Sequence, residues 1–267
     1  MRYYNSLTTP SGKYCTLNEL SNREYLILLK FLQGDNYKGF FENLNLKIKE
    51  TIEDFDDYDM VDKCYVYLAL CAYCIKGNIV VMNNKIGDQE INISTLLDNI
   101  EKSYKEKNLK YRLNEKIVFT FGIPNSFYID ENNTVIIDYL SNIKDVNGIK
   151  PSKNDISRLM DILSTKQKTL IEKFIQDNLQ DNFNILEGVP LNKLELPLYK
   201  FPFILNVANI FKLNLKSFYD VLYMMTHHVK MSYEGFMNLT FIEADIILKT
   251  CISEKSKEAE QMNSSMN

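Results

Sequence analysis

Cys71-Ala72-Tyr73-Cys74 places two thiols at a spacing that can do chemistry. A CxxC pair supplies at most two of the four ligands a structural zinc takes. At the start of a helix the same pair is a redox centre, because the dipole lowers the thiol pKa. Cys64 lies seven residues earlier on the same helical face, and His227 and His228 are the chain's two histidines. This pair closes an apolar run instead of opening one, so buried structural cysteines are expected. Metal and redox readings stand behind that one.

The other chemical signals are weaker. Glu53, Asp54, Asp56, Asp57 and Asp59 invite a calcium reading, but the run lacks the central glycine and the twelfth-position glutamate of an EF-hand. A solvated helix start is expected there instead. Gly12-Lys13 has no upstream glycine, and Tyr14 stands where a phosphate-binding loop needs a hydroxyl. His227-His228 has no nucleophile in a strained glycine-flanked turn to serve, so helix-end or surface histidines are expected. Asn92-Ile93-Ser94 has the glycosylation pattern without a secretory context. The catalytic, cofactor and metal assignments are therefore none, and no enzyme is expected.

Composition narrows the partners. The 267 residues carry a net charge of −4, which gives no general pull toward nucleic acid or an anionic membrane. The arginines are Arg2, Arg23, Arg112 and Arg158, few for bidentate phosphate recognition. Lysine and asparagine are abundant, as in AT-rich coding sequences. Residues 1–10 are polar and lack the apolar core of a signal peptide. Val66–Ile75 is too short to span a bilayer. Five cysteines, an odd number, fit reduced thiols in a cytosolic setting.

The elements that would position these residues follow from periodicity. Helices are expected over 17–32, 40–52 and 60–75, the last apolar on most sides and central to the core. Residues 78–82 and 90–93 read as a hairpin across Asn83-Asn84 and Gly87-Asp88. Ser94 is a candidate cap for a helix over 95–104, followed by a charged stretch, 105–110. Strands are expected at 117–121 and 134–140. Beyond a boundary at Gly148–Pro151 the chain turns helical: 155–163, 166–179, 203–211 and 215–228, then a short helix capped by Ser232. The last helix starts on a Thr240-x-x-Glu243 capping box, and a frayed tail follows from Glu254. The fold class is α+β, mainly helical, with a small antiparallel sheet in the N-terminal half. Residues 1–150 and 151–267 are expected as two units, the second ending in a helical hairpin.

Between two such helical segments, residues 180–202 hold half the chain's prolines. Leu191, Leu194, Leu196, Leu198, Tyr199, Phe201 and Phe203 in or beside this loop need cover. Either a partner or the chain's own core supplies it. Phe236 and Phe241, with Leu239 and Ile242, form a second candidate contact face. A nucleic-acid-binding regulator using the C-terminal helices is the alternative role, although Glu243 and Asp245 leave few cations for phosphate.

The order of these parts resembles the baseplate hub and hub-assembly proteins of T4-type contractile-tailed bacteriophages. The likeness rests on Pro10-Ser11-Gly12-Lys13, on Glu19-Leu20-Ser21-Asn22-Arg23-Glu24-Tyr25, and on Asp56-Asp57-Tyr58-Asp59 before residues 60–74. It continues through 79–82, 91–93, 95–100 and 117–121 with Pro124, and covers roughly residues 7–150. Residues 223–225 and 237–243 are similar to the ends of phage tail-assembly proteins. The resemblance implies a structural or assembly role through contacts with other tail or hub proteins. It implies no small-molecule substrate, and a place in the virion tail baseplate or in the host cytoplasm during assembly.

Overall fold

Alternation decides the first element. Cys15 and Leu17 are buried while Tyr14 is exposed, a two-residue period that makes a strand of the segment ahead of the first helix. In the computed structural model, β1 (Tyr4–Thr8) therefore pairs antiparallel with β2 (Tyr14–Asn18). The model describes residues 4–74, 79–84, 87–104, 109–113, 118–123, 142–143, 158, 161–183, 207–208, 210–212 and 215–265. The β1–β2 turn is closed by Gly12 N–H donating to the Thr9 carbonyl (2.8 Å) and Thr9 N–H to the Lys13 carbonyl (2.8 Å). Gly12 holds φ +89°, a conformation glycine adopts without penalty.

The first helix, α1 (Asn22–Gln33), starts later than the expected residue 17. Ser21 and Glu24 cap it reciprocally, each side chain accepting from the other residue's backbone N–H. A second helix, α2 (Tyr37–Lys49), is capped by Asn36, whose Oδ1 accepts from Gly39 N–H (2.9 Å). It starts three residues before the expected position because that cap is in place. Gly39 is there for size. A Cβ on it would lie 2.8 Å from both the Phe31 ring and Asn36 Nδ2. Gly39→Ala should cost roughly 1–2 kcal/mol, read as a lower denaturation midpoint, because the ring must move.

The central helix is α3 (Met60–Cys74), in which every residue from Met60 to Cys71 is buried. A single turn of 3-10 helix, Phe55–Asp57, precedes it. Then β3 (Ile79–Asn84) pairs antiparallel with β4 (Gly87–Asn92), as the hairpin signal predicts. Next comes α4 (Ile93–Ser103), which packs on α3. Its cap is Asn92, with Thr95 N–H donating to Oδ1 (3.2 Å), and not Ser94. The charged stretch that follows contains a strand: β5 (Leu109–Arg112) pairs with β6 (Val118–Phe121), which pairs with β7 (Asn142–Ile143), all antiparallel. Tyr111 and Phe121 pack on Phe174 of α5 (Thr165–Phe183), with ring centroids 5.1 and 6.2 Å apart. That helix is capped by Ser164 and Gln167, a further reciprocal box. The strand expected at 134–140 and the boundary at Gly148–Pro151 lie outside the described residues; of the helix expected over 155–163, residues 158 and 161–162 are helical.

The C-terminal segments return to the start of the chain. Residues 207–208 and 210–212 are helical, followed by α6 (Leu215–His227), α7 (Tyr233–Asn238) and α8 (Phe241–Ser265). Ser232 and the Thr240–Glu243 box cap the last two as expected. The final helix continues to Ser265, past the expected fraying point. Glu, Lys, Ala, Gln and Met are good helix formers, and this stretch is rich in them. A row of rings ties these helices to α1–α3: Phe236 to Phe218 (5.6 Å), Phe218 to Tyr25 (6.1 Å), Tyr25 to Phe211 (6.2 Å) and Phe211 to Phe40 (5.3 Å). It runs on through Phe41, Tyr67, Phe55 and Tyr58 at spacings of 5.0 to 5.8 Å. The fold is thus α+β and mainly helical, with small antiparallel sheets in the N-terminal half. Among the described residues, no helix is long and apolar enough to cross a membrane.

Candidate functional site

Three of the described cysteines are placed as structural thiols. Cys15, Cys64 and Cys71 are buried, and the CxxC pair falls at the end of α3. The Cys74 side chain lies outside the described residues. Burial pushes the Cys64 thiol well above its usual value. Burial, with the Asp62 and Asp54 charges adding in the same direction, lifts Cys15 to about 11. Metal binding and thiol exchange both need the thiolate, which these surroundings disfavour. Among the described residues, no group of three or more His, Cys, Asp or Glu side chains could hold a metal ion. Alkylation of the native protein at neutral pH should therefore label half-buried Cys251 ahead of Cys15 and Cys64, which should react only on unfolding. Peptide mass spectrometry reads this directly.

The two histidines are exposed at the end of α6. His227 stacks on Tyr223, one turn earlier, with centroids 4.1 Å apart and planes at 22°. Its Nδ1 lies 3.2 Å from the Tyr223 carbonyl.

The N-terminal turn and the acidic run, read separately in the sequence, meet in space. Asp62 is fully buried and accepts from both the backbone N–H (3.1 Å) and the hydroxyl of Ser11. Asp59 caps α3, its Oδ1 accepting from Val61 and Asp62 N–H at 2.9 Å each. Its Oδ2 accepts from the Tyr104 hydroxyl (3.0 Å). Burial raises the Asp59 pKa, and Asp62 beside it adds to the rise. Lys13 donates to the Asp57 carbonyl (3.3 Å), with its ammonium 4.0 Å from the centre of the Tyr58 ring. Lys63 donates to the Asp56 carbonyl (2.9 Å), and burial lowers its pKa. The expected solvated helix start holds for Glu53, Asp54, Asp56 and Asp57, which are exposed. Asp59 and Asp62 instead fasten the first hairpin to the central helix. An acidic helix start is legible in the sequence, but it does not single out Asp59 as the capping and partly buried member. The Ser11–Asp62 bond, spanning 51 positions, had no local signal.

A second junction joins the two ends of the chain. Asn22 is fully buried; its Nδ2 donates to the Phe236 carbonyl (2.9 Å) and its N–H to the Leu239 carbonyl (2.7 Å). Ser21 and Thr240, the caps of α1 and α8, form an antiparallel bridge. Arg23 pairs with Glu234, and Lys212 with Asp35 (2.8 Å). Glu19 lies in this seam at 7% exposure, with Asn5 Nδ2 3.5 Å from its Oε1. On the other side Lys47 bridges Glu24 (2.9 Å) and Glu50 (2.8 Å). Burial works to raise the Glu24 pKa, but the Lys47 and Ser21 bonds overcome it and hold the carboxyl below its usual range.

No family model, curated protein or solved structure matches the chain. The functional reading therefore rests on the chain's own residues.

Of the candidate contact residues, Leu191, Leu194, Leu196, Leu198, Tyr199, Phe201 and Phe203 lie outside the described residues. Phe236 is fully buried against Phe218, within the chain's own core. Phe241 is partly buried and packs on the same core, as does Leu239. Exposed apolar side chains lie elsewhere and on several elements, Tyr14 (71%), Leu46 (64%) and Ile162 (80%) among them. Tyr219 and Tyr223 are 43% and 55% exposed one turn apart on α6, Tyr233 is 51% exposed on α7, and Ile246 is 57% exposed on α8. The four-residue spacing Tyr219-Tyr223-His227 was the available signal, because it puts three rings on one helical face.

Proposed function

We propose that this protein is a non-enzymatic structural or assembly component of a contractile phage tail baseplate, working at the hub through protein–protein contacts. The observation that carries the reading is the tyrosine face of α6. Tyrosines are over-represented where one protein anchors on another, since each offers a large apolar ring with a polar tip. Here Tyr219 and Tyr223 stand out from a helix whose opposite side, through Phe218 and Met225, is locked into the core. The surface is therefore presented on a rigid support. Asp59, Asp62 and Asn22 in the polar junctions serve hairpin-to-helix and end-to-end fastening.

The partner in this reading is another tail or hub protein, and the chain acts in the baseplate or in the host cytoplasm while the tail is built. The test is purification of the tagged chain from phage-infected cells. Recovery of tail proteins in amounts that Tyr223→Ala reduces supports the proposal; recovery of the chain alone, or with nucleic acid, overturns it. Mass spectrometry of purified virions then separates a resident subunit from an assembly factor that leaves.

A further inference from the structure

The seam between the two ends of the chain contains a carboxyl group in an unusual position. Glu19 precedes the cap of α1 and is 93% buried by its 7% exposure. Its Oε2 is sealed from solvent and meets no hydrogen bond of good geometry, the nearby Thr240 side chain offsetting its burial only in part. The Oε1 contact to Asn5, at 3.5 Å, is long. The charged groups around it do not compensate. Glu243 faces it from α8, and Arg23 on α1 is engaged by Glu234 of α7. Lys47 of α2 lines the same small cavity as Glu19, but its ammonium is held by Glu24 and Glu50. A carboxylate so placed costs free energy that a neutral carboxyl does not.

We propose that Glu19 is a proton-operated latch: neutral, it holds α7 and α8 against the head of α1, and ionised, it loosens that seam. The direction of its titration agrees. Burial raises the pKa first, Asn5 and Thr240 pull it back in part, and Glu243 raises it further. A folded-state value above the unfolded one means the folded seam binds the proton more tightly. Stability is then gained as pH falls through the raised value, and the gain is complete below the ordinary glutamate value of 4.5. Above the raised value the stabilisation is absent.

Amide hydrogen exchange of α7 and the first turns of α8, corrected for intrinsic exchange rates, tests this in the full chain. Protection of these amides should rise as the pH is lowered from neutral toward the ordinary glutamate value of 4.5. In Glu19→Gln it should already be high at neutral pH and flat across the range. Asp59, whose pKa is also raised, lies at the head of α3 outside this seam, so Asp59→Asn should keep the slope at α7 and α8. No slope in the wild type, or an unchanged slope in Glu19→Gln, overturns the proposal. Should Glu19→Gln fail to fold, carboxyl carbon titration of the wild type by NMR decides: a Glu19 carboxyl titrating at or below the ordinary glutamate value overturns it.

Discussion

Replacing Phe236 by alanine is expected to destabilise the protein by about 3–5 kcal/mol, the range for truncating a buried phenylalanine. The ring is fully buried, packs edge-on against Phe218 at 5.6 Å, and lies one link from Tyr25 of α1. Its loss opens a cavity at the point where α6, α7 and α1 converge. A loss of this size approaches the total stability of many domains, so partial unfolding at room temperature is part of the expected result. Tyr223→Ala, on the exposed face of α6, should stay within about 0.5 kcal/mol of the parent. Urea unfolding followed by circular dichroism separates the two. A Phe236→Ala midpoint equal to that of Tyr223→Ala would show that α7 is not docked on the body in solution.

Ser11→Ala should cost roughly 2–3 kcal/mol, although the serine itself is exposed. Its hydroxyl is a donor to a fully buried carboxylate, and bonds to charged groups are worth more than neutral ones. Removing it leaves Asp62 with the Ser11 backbone N–H and one fewer donor. Ser11→Thr retains the hydroxyl and should recover most of the loss. Equal unfolding midpoints for the alanine and threonine variants would show that this bond does not fasten the hairpin to α3. Charge removal on the acidic run is a useful contrast: Asp57→Asn alters an exposed group, and a change within about 0.5 kcal/mol is expected.

The local rules were legible where one segment determines its own shape. The apolar run of α3, the β3–β4 hairpin, and the caps at Ser232 and Thr240 all follow from neighbours within four residues. The same rules, applied too coarsely, missed the Ser21–Glu24 box and the alternation of residues 14–18, so a strand was read as the start of a helix. The β5 strand was hidden by its charges: Lys110 and Arg112 occupy the exposed positions of an alternating segment whose other face carries Leu109 and Tyr111. The functional surface was harder. Phe236 and Phe241 looked like a contact face because sequence shows that residues are apolar, and not which neighbour covers them. The Phe236 ring packs on Phe218 of another helix, and its carbonyl is held by Asn22, 214 positions away. Nothing local encodes such a meeting, and the burial of Glu19 depends on the same distant contacts.

The row of rings sets an order of events during synthesis. Tyr25 and Phe40 emerge early, but Phe211, Phe218 and Phe236 leave the ribosome much later. Until then the aromatic faces of the first two helices stand uncovered, and contacts between such distant segments form slowly. A polypeptide stalled before residue 207 should thus be sticky and bound by chaperones, whereas one extended past Phe236 can cover these faces with its own rings.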